Sequence, residues 1–313
     1  MKMSVLNKEI PIFFSTDDNY APFLDVAIRS LIINASKDYN YRIIVLNTGL
    51  NDEVARKIKL NENDRFKIDL CDISADIESI KDSLKDVYHF SVATYYRLFI
   101  SSLFPQYDKI VYLDCDLVLL GDVSELYNVD MGDNIIAAAD EEYVQNTPEF
   151  RKYAEVCIGV DPDKYVNAGV LVMNLDAYRK NDIEGKFLKL ITEYDFELLD
   201  PDQAYLNYLC YNKIYALPNG WNKEPMQVPL VGKKNIVHYA LYKKPWQYSD
   251  VEDGEYFWEY AKPSPFYELI NSRLCSFTDE ERAQKDAAGV EIIEQAKRLV
   301  ASDYTFFKKL GRP

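Results

Sequence analysis

Residues 109–122, KIVYLDCDLVLLGD, set an apolar run directly against two aspartates one residue apart. The apolar run reads as a strand buried on both faces. In open α/β sheets ligands sit outside the carboxyl ends of strands, so Asp114 and Asp116 stand where a ligand is expected. Their i, i+2 spacing sends both side chains to one side if the extended backbone persists. Two such carboxylates repel unless a cation joins them, and a divalent metal is the simplest cation to supply. Oxygen ligands alone would suit Mg²⁺, and an added imidazole moves the preference toward Mn²⁺. Taken alone, the motif is also compatible with phosphoryl transfer using Asp114 as a nucleophile.

The flanking sequence supplies the rest of an α/β fold. EIPIFFS (9–15) reads as a strand, and PFLDVAIRSLIINAS continues with apolar residues at three-to-four-residue spacing, as an amphipathic helix. YRIIVLNTG and NDEVARKIKLN repeat that pairing, with Asn51 as a helix N-cap, and RFKIDLCDI adds a third strand. SVATYYRLFISSLF (91–104) predicts a helix closed by Pro105. NIIAAAD (134–140), NAGVLVMNL (167–175), KIYAL and NIVHYA predict further strands, while 176–194 and 201–211 turn helical. Alternating strands and helices imply crossover units and a mainly parallel sheet. Near residue 245 the sequence becomes rich in proline and charge. The expected organisation is therefore an α/β body over 1–250 and a helical region over 251–313, with Thr278 and Glu281 spaced as a capping box.

Fifty-one acidic against 36 basic residues give the 313-residue chain a net charge of −15, which repels nucleic acid and anionic lipid. The five cysteines are scattered without CxxC spacing and read as free thiols of a reducing compartment. No apolar run approaches the length of a membrane span, so a cytoplasmic protein is expected. The tail YTFFKKLGRP offers Phe306 and Phe307 beside Lys308, Lys309 and Arg312, enough only for weak peripheral contact with the inner face of a membrane.

Other candidates lie at strand ends. The chain has two histidines, His89 and His238, and His238 ends a late strand just before Lys243 and Lys244, where a phosphate-bearing ligand needs cations. DPDQAYLNYL places Asp202 and Gln203 in the first turn of a helix, a position that helix-dipole chemistry alone explains for Asp202. FSTDDNY (14–20) leaves a strand into Asp17, Asp18 and Asn19 with no glycine fingerprint, so a nucleotide there would be held by side chains and turn amides.

FSTDDNY, TYYRL, VYLDCDLVLLGD, YVNAGVLVMNL, DPDQAYLN and VHYALYKKPW, in that order over residues 10–246, resemble bacterial glycosyltransferases of family 8. That group includes lipopolysaccharide galactosyl- and glucosyltransferases and, more distantly, glycogenin. The resemblance implies a GT-A type nucleotide-diphospho-sugar transferase fold, with a mainly parallel mixed sheet flanked by helices and a helical C-terminal extension. It implies transfer of galactose or glucose from a UDP-sugar, with retention, to a glycan or lipid-linked sugar acceptor. Asp114 and Asp116 match the DxD motif that holds Mn²⁺ and the diphosphate, His238 matches the third metal ligand, and Lys244 matches a lysine that meets the diphosphate. Ser15, Asp17 and Asn19 match the uridine and ribose shelf, and Arg97, Asp140, Asn167, Asp202 and Gln203 match residues around the donor sugar. One position departs from the pattern: the family usually has glycine three residues after the metal-binding histidine, and Leu241 stands there. Positive φ is costly for such a residue. The competing readings are a haloacid-dehalogenase-type phosphohydrolase with Asp114 as nucleophile, and a sugar-nucleotide-binding protein without transfer activity.

Overall fold

A computed structural model describes residues 9–78 and 92–313; His89 and Ser91 lie outside the described residues. The strands are β1 (Glu9–Ser15), β2 (Asn40–Asn47), β3 (Phe66–Asp72), β4 (Lys109–Leu113), β5 (Leu117–Leu119), β6 (Ile136–Ala139), β7 (Val170–Asn174), β8 (Ile214–Leu217) and β9 (Ile236–His238). Seven of them form one sheet in the order β3-β2-β1-β4-β7-β6-β8. All neighbours in it are parallel except β7, which runs antiparallel to both β4 and β6.

Both faces of this sheet are buried, which explains the continuous apolar runs. Successive side chains point to opposite faces, so Phe13, Ile110, Tyr112, Leu171 and Met173 enter one core. Ile12, Phe14, Val111, Leu113, Val170 and Val172 enter the other, with the helix Ala21–Asn34.

The chain turns at 114–116 and resumes as β5, which pairs antiparallel with β9 as a separate two-stranded sheet. NIVHYA is thus a strand, but of this small sheet. Its register sets His238 opposite Leu117, and Tyr239 N–H donates to the carbonyl of Asp116 (2.9 Å). The pairing delivers the imidazole to the aspartate pair.

The helix expected over 91–104 is, in its described part, a 3₁₀ segment Val92–Phe99 followed by one α turn, Ile100–Leu103. Arg97 is pulled inward there, its guanidinium bonded to the carbonyls of Thr94 and Ala168. Asn51 caps its helix by accepting from Glu53 N–H, and the Thr278–Glu281 capping box is present.

The last 60-odd residues are helical: Gly254–Ala261, Tyr267–Ser276, Asp279–Ala301 and Phe306–Leu310. The first two place Phe257 and Ile270 in the core beside Ala21–Asn34, and the last two place Ile292, Leu299 and Phe306 in the other core. Phe306 is fully buried against Phe196, Tyr205 and Tyr208, so the tail does not present the exposed aromatic pair read from its sequence. No helix among the described residues is long and apolar enough to cross a membrane, and all five cysteines are free thiols.

Candidate active site

A cleft opens where β1 and β4 end and β7 begins. Ser15, Asp17 and Tyr20 line one end, Asp114, Asp116 and His238 the middle, and Glu141, Asn167, Asp200 and Gln203 the other side.

Asp114 is fixed through its backbone, whose N–H donates to the Gly169 carbonyl (2.8 Å). Its Oδ1 accepts from Arg97 Nη2 (2.7 Å) and from the Tyr112 hydroxyl (3.2 Å). Arg97 also ion-pairs with Asp202 (Nε–Oδ2 3.0 Å), which accepts from Thr94 Oγ1 (2.6 Å). Burial would push the Arg97 guanidinium down, but Asp114 and Asp202 outweigh it and hold the charge in place. Burial pushes the Asp202 carboxyl up, offset in part by Arg97.

Asp116 faces His238 Nε2 at 3.2 Å and is ion-paired with Lys244, whose ammonium also reaches the Tyr239 carbonyl. Burial raises the Asp116 carboxyl, yet the Lys244 ammonium beside it outweighs burial and holds it well below the usual carboxylate range.

The other His238 nitrogen, Nδ1, is 2.9 Å from Asn222 Oδ1, and Asn222 Nδ2 donates to Asn167 Oδ1 (2.8 Å). Because the Asn222 amide spends its donor on Asn167, its oxygen is an acceptor, which puts the proton on Nδ1 and leaves the Nε2 lone pair toward the carboxylates. One ligand atom from each of Asp114, Asp116 and His238 lies within 4.8 Å of the others. Gly169 makes room for them, since a Cβ there would come within 2.6 Å of Asp114 Oδ2. Two carboxylate oxygens and one oriented imidazole nitrogen fit a divalent metal ion.

Not every expected residue reaches the cleft. Asn19 has an exposed side chain outside the lining, and its carbonyl accepts from Arg273 (3.1 Å). Asp140 bridges to Val166, outside the lining, and the acid on the cleft wall is its neighbour Glu141. Glu141 Oε2 accepts from Asn167 Nδ2 (2.6 Å) and Gln203 Nε2 (3.1 Å). Lys244 stands behind Asp116 and not on the wall. Leu241 lines the cleft in the left-handed conformation, φ +58°, so the backbone shape that usually calls for glycine is kept with a leucine.

Glu141, Asp200, Asn222, Glu224 and Gly169 were not identified from sequence. Glu224 is buried and accepts from Asn167 Nδ2 (3.0 Å) and Glu142 N–H (3.0 Å); burial and the neighbouring Glu141 push its carboxyl well above the usual range. In NAGV the glycine was visible, but nothing local distinguishes it from a turn residue. Asn222 lies in the unpatterned stretch NGWNKEP, and only its contact with His238 marks it.

The chain is similar to known glycosyltransferases over most of its length. A putative glycosyltransferase of Haemophilus influenzae is 29% identical over 226 residues, 72% of this chain and 67% of its own length. The lipopolysaccharide 1,2-glucosyltransferase of Escherichia coli is 27% identical over 251 residues, 75% of this chain and 72% of its own. Among solved structures, an active-site mutant of LgtC superposes with a TM-score of 0.69 at 26% identity, covering 82% of this chain and 96% of that one. The bifunctional glycosyltransferase WbbM superposes at 0.73 and 25% identity over 88% of this chain, which spans only 53% of WbbM. The fold is the GT-A fold of these enzymes. The model of the glycosyl transferase family 8 matches residues 11–250, and the chain belongs to that family.

Proposed function

We propose that the protein transfers a hexose, galactose or glucose, from a UDP-sugar to a hydroxyl of a glycan or lipid-linked sugar, with retention and with Mn²⁺ held by Asp114, Asp116 and His238. The observation that carries this reading is the convergence of those three ligands, with Nδ1 of His238 already engaged, beside the cations Arg97 and Lys244. The body over 1–250 carries the site, and the region 251–313 adds a wall to it through Ile292.

A net charge of −15 would repel an anionic donor, so the site must supply positive charge locally. Asp114, Asp116 and His238 would hold the ion, which as a Lewis acid would supply neutralisation of charge on the departing diphosphate. Lys244 adds a fixed cation, and Arg97 locks Asp114 and Asp202 in place. Ser15 and Asp17 receive the nucleoside, with Asn19 at the rim. Asn167, Asp202, Gln203 and Glu141 surround the sugar, with Glu141 in the place expected of Asp140.

Gln203 is an amide and a poor nucleophile. Retention is then reached by front-face attack. The acceptor hydroxyl oxygen bonds the anomeric carbon, the carbon–phosphate oxygen bond breaks with its electron pair on that oxygen, and the same oxygen takes the hydroxyl proton.

The test is a panel of nucleotide-sugars with Mn²⁺, followed by donor hydrolysis without acceptor and by the anomeric configuration of the product. Turnover restricted to UDP-hexoses, lost with chelator and in Asp116→Ala, is the expected outcome. Phosphate release from simple phosphomonoesters would overturn it in favour of a phosphohydrolase, and tight UDP-sugar binding without turnover would make this a binding protein.

A further inference from the structure

The side chain of Gln203, in the first turn of the helix Pro201–Leu209, is held at both ends of its amide. Its Oε1 accepts from Ala168 N–H (2.9 Å), while its Nε2 donates to Glu141 Oε2 (3.1 Å) and Asp200 Oδ2 (2.9 Å). A backbone N–H can only donate and two carboxylates accept, so the amide cannot be flipped. Both N–H hydrogens are used, and the polar capacity left for a ligand is the second lone pair of Oε1. Donor at one end and acceptors at the other polarise the amide in the same sense, adding negative charge to that oxygen.

Asp200 is itself built in. Its Oδ2 accepts from the Tyr165 hydroxyl (2.5 Å) and its Oδ1 from the Tyr153 hydroxyl (3.2 Å). Leu199 N–H donates to the Tyr153 oxygen (3.3 Å), which turns the phenol proton toward the carboxylate. Both phenols are almost fully buried. The titratable groups facing Asp200 are Tyr153 from the helix Pro148–Tyr153, Tyr165 ahead of β7, and Glu141 after β6, with Glu224 behind Glu141.

We propose that Asp200 is a positioning residue of the transfer reaction: with Glu141 it clamps Nε2 of Gln203, so that Oε1 faces the sugar carbon on which positive charge develops. This rests on the function proposed above. The clamp is strongest when Asp200 is ionised. Burial pushes its carboxyl up to about 7 although its hydrogen bonds favour the charge. The turnover rate therefore climbs with pH through that region.

The experiment compares kcat, donor KM and their pH profiles for the full chain, Asp200→Asn and Tyr165→Phe. Asp200→Asn is expected to lower kcat by about 10- to 100-fold, with donor KM within about twofold and the limb near neutrality gone. Tyr165→Phe removes a donor to the carboxylate and should move the limb to higher pH. The carboxyl of Asp200, followed by carbon-13 NMR in protein without donor and assigned with Asp200→Asn, should titrate at the pH of the kcat/KM limb, which reports the free enzyme, and move upward in Tyr165→Phe. An Asp200→Asn enzyme with wild-type kcat and an unchanged limb overturns the proposal, as does a carboxyl signal indifferent to Tyr165→Phe. Should Asp200→Asn fail to fold, Tyr165→Phe decides. If no nucleotide-sugar is turned over by the wild-type protein, the functional reading fails, and the donor-free carboxyl titration still decides whether the clamp exists.

Discussion

Gly169 stands so close to the His238 ring that a Cβ built on it would lie 2.3 Å from Cε1. The same Cβ would lie 2.6 Å from Asp114 Oδ2, so one methyl group would press on two of the three metal-facing residues. Gly169→Ala is expected to weaken Mn²⁺ binding by about 10- to 100-fold, the range seen when metal ligands lose their support. Overpacking should also cost about 1–3 kcal/mol of stability. Calorimetric titration with Mn²⁺ reads the first and urea unfolding the second. Unchanged affinity would place the ion elsewhere.

Asn222 orients the same imidazole from its other side. Asn222→Ala leaves His238 Nδ1–H without its acceptor and frees the ring to change tautomer. Mn²⁺ affinity should again fall by about 10- to 100-fold. Since Asn222 touches neither carboxylate, the residual binding in this variant should still depend on Asp114 and Asp116, which the double variants with Ala test.

Which of these features could be read from sequence follows from what periodicity encodes. The runs of β1 and β4 announced a buried sheet because two covered faces leave no polar alternation. The direction of β7 was not legible, because VLVMN reads the same in a parallel or an antiparallel strand. His238 was recognisable at a strand end, but its route to Asp116 depends on β5 and β9, three residues each, too short to carry a pattern. Which of Asp140 and Glu141 lines the cleft is a matter of one residue where β6 ends, and the bridge from Asp140 to Val166 is a long-range contact. Arg97 was marked by its motif, while its 3₁₀ backbone follows from the buried partners that claim its guanidinium.

Leu241 holds φ at +58°, where Cβ crowds the backbone. Asparagine tolerates this region, and β-branched residues resist it most. Leu241→Asn should therefore retain wild-type stability to within about 1 kcal/mol, and Leu241→Val should lose about 1–2 kcal/mol more than Leu241→Asn. Urea midpoints of the two variants measure the difference. Equal midpoints would mean that the backbone relaxes out of the left-handed region without cost.

The raised carboxyls set a pH dependence of stability, Asp200 and Glu224 foremost. Burial pushes Asp200 up to about 7, and burial with the nearby Glu141 pushes Glu224 well above the usual range. In the unfolded chain both release their protons near pH ~4. Between that value and the folded ones the native state binds more protons, so stability falls as pH rises through the window. Carboxyls held low by exposed contacts, such as Glu281 and Asp72, act only below about pH 4 and leave the window untouched. The urea midpoint should be lower at about pH 8 than at about pH 5, and the difference should shrink in Asp200→Asn and in Glu224→Gln. A wild-type midpoint that rises over that interval would contradict the placement of both groups.

The tail offers the last contrast. Phe306 is fully buried among Phe196, Tyr205 and Tyr208, whereas Lys308 pairs with Asp303 and Lys309 sits over the ring of Tyr304 at the surface. Phe306→Ala deletes a core ring and should cost about 3–5 kcal/mol. Lys308→Ala removes only an exposed ion pair and a surface bond to the Ser302 carbonyl, and should change stability by less than about 1 kcal/mol. Because folding spends the Phe306 ring on the core, the native protein should sediment with anionic vesicles no more than the Lys308→Ala, Lys309→Ala double variant does. Vesicle binding that falls in the double variant at low salt would show that the remaining bases suffice for membrane contact without the buried aromatic.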